Sequence, residues 1–245
     1  MNVEERERYA RHILLKEVGG PGQQRLKGAT VALVGMGGLG APAALYLAAA
    51  GVGALRLIDD DVVSLSNLQR QILYRSDEVG EPKVARAEAA LGALNAHVAV
   101  ETRQARLTED NAHDLLIGAD LALDGVDDFA TRFIVNAACR AMHMPLVSGA
   151  VGRWGGQVSV FAPGGPCYRC LVPETPPDAE TCAATGIVGA LTGVIGSLMA
   201  LEAIKLIVEA GEPLIGKLLI FDGLKGQART IALPRDPACP VCGHE

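Results

Sequence analysis

The chain has 245 residues, 49% hydrophobic and 20% charged, with a formal net charge of −6. That length suits one α/β domain, or one with a small appendage, and the apolar share suffices for a sizeable core. The acidic balance argues against non-specific nucleic-acid binding.

Residues 1–27 read as a helical arm with a glycine-containing turn, VGGPGQQ. Its start, MNVEERERYARH, is charged and lacks the apolar stretch of a secretory signal, so the expectation is a cytoplasmic protein. Val31 to Val34 is a short apolar run bounded by Gly28 and Gly35 and predicts a buried strand. GMGGLG follows, with Gly35, Gly37, Gly38 and Gly40. Glycine permits the tight turn and lets backbone approach a phosphate. A helix from Leu39 to about Ala50 would aim its N-terminal amides at that phosphate, with Gly51 as its stop. Leu55 to Ile58 predicts the second strand. Asp59 stands at its end, about 20 residues after the turn, where a carboxylate meets a ribose hydroxyl. These parts make a nucleotide-binding βαβ unit.

The segment VSLSNLQRQ then places Asn67 and Arg70 where a phosphate chain would lie, and Lys83 opens the next helix in GEPKVARAEAAL. A bare glycine turn suits NAD in a dehydrogenase. Here the middle glycines are adjacent, and Arg70 and Lys83 exceed what a pyrophosphate on a helix terminus needs. They suit the extra charge of ATP.

Strand and helix patterns alternate up to about residue 150. Val98 to Glu101, Leu121 to Leu123 and Leu146 to Val147 are the later strands, with a helix over Phe129 to Met142. The alternation predicts a Rossmann-like, mostly parallel sheet flanked by helices on both faces. Asp127 and Asp128 follow the strand LALD, at the strand end where such sheets place ligands; Asp128 also fits a helix N-cap. After Gly149 the pattern becomes antiparallel: Gln157 to Phe161, Leu218 to Phe221 and Ala228 to Leu233. Residues 162–185 read as a loop. The expected organisation is a single domain, 1–245, with the arm at 1–27, a nucleotide-binding half at 28–150 and a second half at 151–245.

Thr181 to Leu201 carries no charge and is long enough to span a bilayer. Thr and Gly are frequent in it, no aromatic belt flanks it, and Glu202 and Lys205 continue the same helix. These features favour a buried or interface helix over a membrane span. Gly189, Gly193 and Ser197 form a small-residue seam suited to close packing in the core or between subunits.

Cys167 and Cys170 form one CxxC pair, and Cys239 and Cys242 another. Two such knuckles in a cytoplasmic chain predict a four-thiolate zinc site, closed and structural. A redox CxxC is the rival reading. Cys139 lies on an apolar helix and reads as inert core, while Cys182 sits in the polar loop. His244 is a weak substitute ligand.

Taken together, RYARHILL, GMGGLG, DDDVVSLSNLQRQ, VGEPK, GVDDFATR, PLVSGA, GGQVSVF, PCYRCL, VIGSLMALEAIK and CPVCG resemble the MoeB/ThiF/HesA family, the bacterial relatives of ubiquitin-activating enzymes. The match is nearest to its MoeB branch. The resemblance implies adenylation of the C-terminal glycine of a ubiquitin-like sulfur-carrier protein ending in Gly-Gly, for later sulfur transfer. It implies that Gly38 lines the phosphate turn and that Asp59, with Asp61 nearby, holds the ribose. Asn67, Arg70 and Lys83 would handle phosphates, and Asp127, beside Asp128, would hold Mg2+. Arg11 would reach across a homodimer to the partner's ATP. Cys182 would match a family cysteine that bonds covalently to the carrier in some members, but TCAATG offers no basic neighbour to activate it. Without a rhodanese-like extension, sulfur would come from a separate donor protein.

The residue types suit that chemistry. A terminal carboxylate, with a pKa of about 3.5, is already ionised and needs no general base. The obstacle is anion attacking anion, which Arg, Lys and magnesium relieve. Three other readings remain at this stage. A tRNA-modifying dehydratase of the same superfamily is disfavoured by the acidic charge. The others are an NAD-dependent oxidoreductase and a zinc-stapled scaffold without turnover. The motifs do not separate carriers for molybdopterin, thiamine or cysteine synthesis.

Overall fold

β1 (Thr30–Val34) is buried from Val31 onward because both faces of the sheet are covered. In the computed structural model, which describes residues 1–176 and 186–243, successive β1 side chains enter different cores. Val31 and Leu33 join one cluster, with Leu47 of α4 (Gly40–Ala50) and Ile195 and Met199 of the long helix Gly189–Val208. Ala32 and Val34 join the other, with Val135 and Cys139 of α7 (Phe129–Ala141). The strand period of two divides an unbroken apolar run between two layers. Truncating a fully buried residue such as Leu47 to Ala costs about 2–5 kcal/mol.

β1 pairs parallel with β2 (Ala54–Ile58) on one side and β4 (Leu121–Asp124) on the other. β3 (Ala99–Arg103) lies outside β2, and β5 (Leu146–Gly152) outside β4, both parallel. β6 (Gly155–Phe161), β7 (Lys217–Asp222) and β8 (Gln227–Ala232) continue the sheet antiparallel. The order of the eight strands is β3-β2-β1-β4-β5-β6-β7-β8. β5 crosses position 150, so the parallel and antiparallel halves share one sheet.

The expected α4 stop is present: Gly51 caps the helix at φ 80°. The arm differs from expectation. VGGPGQQ is not a turn; most of it forms the start of α3 (Gly19–Gly28), behind α1 (Val3–Arg8) and α2 (Ala10–Ile13). Pro21 lies in the first turn of α3, where a missing N–H costs nothing. Residues 162–185 are also not wholly loop, since α8 (Tyr168–Leu171) spans the residues between Cys167 and Cys170.

The long helix Gly189–Val208 is apolar and long enough to cross a membrane by composition. It packs as a core helix, with Ile195 and Met199 fully buried against the sheet. Its buried Glu202 accepts the Leu214 N–H at 2.8 Å. Within the chain, a glycine beside the predicted seam makes the closest approach to α4. A Cβ at Gly196 would lie 2.5 Å from Pro42 Cγ, whereas one at Gly193 would meet nothing within 4 Å. Gly189 does pack closely, against the Gln69 carbonyl.

Candidate active site

The strand order turns between β1 and β4, whose connections run to opposite faces of the sheet. A crevice opens beyond their C-terminal ends at such a point. Here it is an open cavity of about 480 Å³. The turn after β1 forms its floor. Gly35 adopts φ 87°, and a Cβ at Gly40 would lie 1.9 Å from the Gly35 carbonyl oxygen. The turn therefore closes only with glycine at those positions. A Cβ at Gly38 would come 2.9 Å from Thr192 Cγ2, because the long helix crosses the turn.

Asp59 and Tyr74 pin the turn from two sides. Asp59 Oδ2 accepts the Met36 N–H at 2.6 Å, and the Tyr74 hydroxyl donates to the Met36 carbonyl at 2.7 Å. Burial raises the Asp59 carboxyl above its ordinary range, with the Lys83 charge pulling against it. Burial likewise raises the Tyr74 phenol, so it stays a neutral donor. The chain from Asp61 to Lys83 folds back on itself: the Lys83 N–H donates to the Asp61 carbonyl at 3.0 Å. Lys83 Nζ then reaches Asp61 Oδ2 at 2.7 Å, with its side chain only 4% exposed. Arg70 Nη1 donates to the Ser66 carbonyl, and the Thr192 hydroxyl donates to the Arg70 carbonyl at 3.1 Å each.

Across the cavity, Asp127 is exposed on the wall. Asp128 caps α7 by accepting the Thr131 N–H at 2.8 Å. Behind them lies a buried network. Asp124 Oδ2 meets Arg132 Nη1 at 3.1 Å and the Ser148 hydroxyl at 3.0 Å. Burial raises the Asp124 carboxyl and Arg132 opposes that shift. Arg132 also donates to the carbonyls of Val126 and Gly149 and stands 5.8 Å from the Tyr168 ring centroid. This arginine holds the Asp127 loop in place.

Gly38, Asp59, Asp61, Asn67, Arg70, Lys83, Asp127 and Asp128 all line this one cavity. Arg11 does not; it lies exposed on α2. Cys182 and His244 fall outside the described residues. The four paired cysteines converge, with their sulfurs all within 4.8 Å of one another. Cys167 Sγ is 3.6 Å from Cys239 Sγ, and Cys170 Sγ is 3.4 Å from Cys242 Sγ, too long for disulfides. The Asp236 N–H points at Cys170 Sγ. Four sulfurs with a backbone N–H donor fit a tetrahedral soft metal. Cys139 is buried elsewhere, and burial pushes its thiol up to about 12.

The ThiF family profile matches residues 9–241. The chain belongs to the ThiF family. It is 47% identical over 240 residues to the SAMP-activating enzyme E1 of Haloferax volcanii, covering 97% of this chain and 89% of that one. It is 47% identical over 250 residues to the sulfur carrier protein adenylyltransferase of Thermus thermophilus, covering 99% and 92%. Among solved structures, E. coli MccB with MccA-N7isoAsn superposes with a TM-score of 0.87 at 24% identity, covering 99% of this chain and 76% of that one. That last likeness speaks to the fold alone.

For a ThiF-family chain, the expectations from sequence omit Gln71, Arg106, Arg132, Tyr168 and Thr192, which also line the cavity. Arg132 had a local signal: it lies within GVDDFATR, four residues after Asp128, on the same helix side. Thr192 and Tyr168 had none, because long-range packing brings them in.

Proposed function

We propose that this adenylyltransferase uses ATP to activate the C-terminal glycine carboxylate of a ubiquitin-like sulfur carrier ending in Gly-Gly. The observation that carries the reading is the convergence of the eight sequence-derived residues on one cavity at the strand-order reversal. The NAD-oxidoreductase and scaffold readings give way to the family membership.

In this reading the Gly38 turn and the α4 N-terminus receive phosphate oxygens. Asp59 takes a ribose hydroxyl while keeping the Met36 N–H. Asn67, Arg70 and Lys83 spread the phosphate charge. Lys83 exchanges its Asp61 partner for phosphate, and its buried stem limits where the ammonium can go. The carrier carboxylate oxygen attacks the α-phosphorus, the bond to the β-phosphate oxygen breaks, and pyrophosphate leaves. Asp127, with Asp128 beside it, would hold Mg2+, which supplies charge compensation on the phosphates. Arg11 would serve the cavity of a second copy in a homodimer.

The cysteine cluster would hold Zn2+ with its sphere closed by sulfur, a structural role. Sulfur would come from a separate donor protein, with any part for Cys182 confined to that later transfer. The two halves, 28–150 and 151–245, would work as one adenylating domain, a reading supported by their shared sheet; its place would be the cytoplasm. Trp154 and Leu224 are 47% and 70% exposed on neighbouring hairpins joined by the Gly223 N–H to the Trp154 carbonyl. They would offer the carrier an exposed apolar landing.

Incubation with ATP, labelled pyrophosphate and such a carrier should move label into ATP. Equal exchange with a carrier lacking its last glycine would overturn the reading.

A further inference from the structure

The polar groups of α7 are arranged along one side. Asp128 at the cap, then Arg132, Asn136 and Arg140, recur every fourth residue. Arg132, Asn136 and Arg140 are buried. Asp128 and Arg132 serve the nucleotide end of the helix. Arg140 donates to the Ala162 carbonyl at 2.8 Å, on the chain leading to Cys167. Asn136 stands between them and is 1% exposed.

The two ends of the Asn136 amide differ. Oδ1 accepts the Tyr168 N–H at 2.7 Å, directly after Cys167. Nδ2 is buried and, among the described residues, meets no hydrogen-bond partner of good geometry. Leaving a buried donor unpaired costs about 1–3 kcal/mol. The Asn136 side chain lies within reach of the Cys167 sulfur, and Oδ1 is already engaged by the Tyr168 N–H. A neutral thiol is a weak acceptor, whereas a metal-bound thiolate is a charged one.

We propose that Asn136 is a positioning residue of the cysteine cluster, donating from Nδ2 to the Cys167 thiolate when the four cysteines hold metal. The orphaned donor then has its partner, and the Tyr168 contact fixes the amide orientation. Outer hydrogen bonds of this kind orient metal ligands. Through α7, the same helix that carries Asp128 and Arg132 grips the cluster, so the metal site and the nucleotide loop share one rigid mount. The proposal rests on the reading of the cluster as a zinc site.

The test follows zinc rather than turnover. Full-length wild type, Asn136→Asp and Asn136→Ser are loaded with zinc, and transfer to a colorimetric chelator is timed. Asn136→Asp keeps the side-chain size and the acceptor for Tyr168 but loses the donor; Asn136→Ser serves if the aspartate fails to fold. Cys139→Ala, buried in the same helix away from the cluster, controls for lost packing. The expected result is zinc release 10–100-fold faster in the Asn136 variants, about the cost of removing an outer-shell partner. Cys139→Ala should lower the thermal midpoint yet release zinc at the wild-type rate. Wild-type release from folded Asn136 variants, or equal acceleration in Cys139→Ala, would overturn the Asn136 role alone. Wild type that binds no zinc would overturn the zinc reading as well.

Discussion

The Asp59 carboxylate accepts the Met36 backbone N–H at 2.6 Å, tying the end of β2 to the turn after β1. The residue proposed to hold a ribose hydroxyl is therefore also a fastener for the glycine turn. Its other oxygen accepts the Asp61 N–H at 2.8 Å.

Two variants separate these duties. Asp59→Ala loses both backbone bonds, and hydrogen bonds to a charged group contribute about 1.5–3 kcal/mol each. Its thermal midpoint should fall and its KM for ATP should rise. Asp59→Asn keeps an acceptor for one N–H and should recover part of the midpoint. An unchanged midpoint in Asp59→Ala would remove the fastening role.

Arg132→Leu should be among the most damaging substitutions outside the cavity floor. It leaves Asp124 buried without its cation, and breaking a buried pair costs about 3–5 kcal/mol. The carbonyls of Val126 and Gly149 lose their donor at the same time. Denaturant unfolding measures the loss, and Arg132→Leu with Asp124→Leu should lose less than the single variant. A double variant worse than both singles would show that the pair is not the unit.

The arm responds to acid. Glu5 accepts from Lys27 at 2.7 Å and from the Asn2 N–H, and these bonds lower its pKa from 4.5 to about 2. A carboxylate with a depressed folded pKa contributes stability above its unfolded pKa and loses it as pH falls through the folded one. Glu5→Gln should therefore be less stable than wild type at neutral pH. The difference should shrink between pH 4.5 and about 2 and vanish below that. A difference constant across this range would contradict the ionic account.

Asp127→Ala should fold and lose adenylation by about 10²-fold or more, the scale of losing charge compensation in the transition state. Arg11→Ala should match it, although Arg11 is absent from its own chain's cavity wall. Joint refolding of the two variants discriminates. In a symmetric dimer with shared sites, half the dimers would be mixed and one site in each intact, giving about a quarter of wild-type activity. Verified mixing of the two inactive variants with no recovery would reject the shared site.

Much of the site was legible because its signals are local. GMGGLG, the carboxylate closing β2, and the Asp128 cap follow from backbone geometry and spacing within one βαβ unit. The arm is helical as expected, but its VGGPGQQ turn was misread because glycine and proline signal a turn, yet both are tolerated in a first helical turn, as Gly19 and Pro21 show. Periodicity places Gly193 and Gly196 on a helix without saying which side meets Pro42; within the chain it is Gly196.

Residue order alone determined the strands and the main helices between them, the glycine turn and the pairing of cysteines into two knuckles, since each depends on neighbours within a few positions. Only the tertiary structure decided that Thr192 packs against Gly38, that Tyr74 holds Met36, and that Arg132 joins Asp124 to Ser148 and Gly149. Those contacts join residues distant in sequence. They form only when the β-strands and the long helix pack into one close-packed core, where apolar burial selects which faces meet and buried polar groups must then find partners.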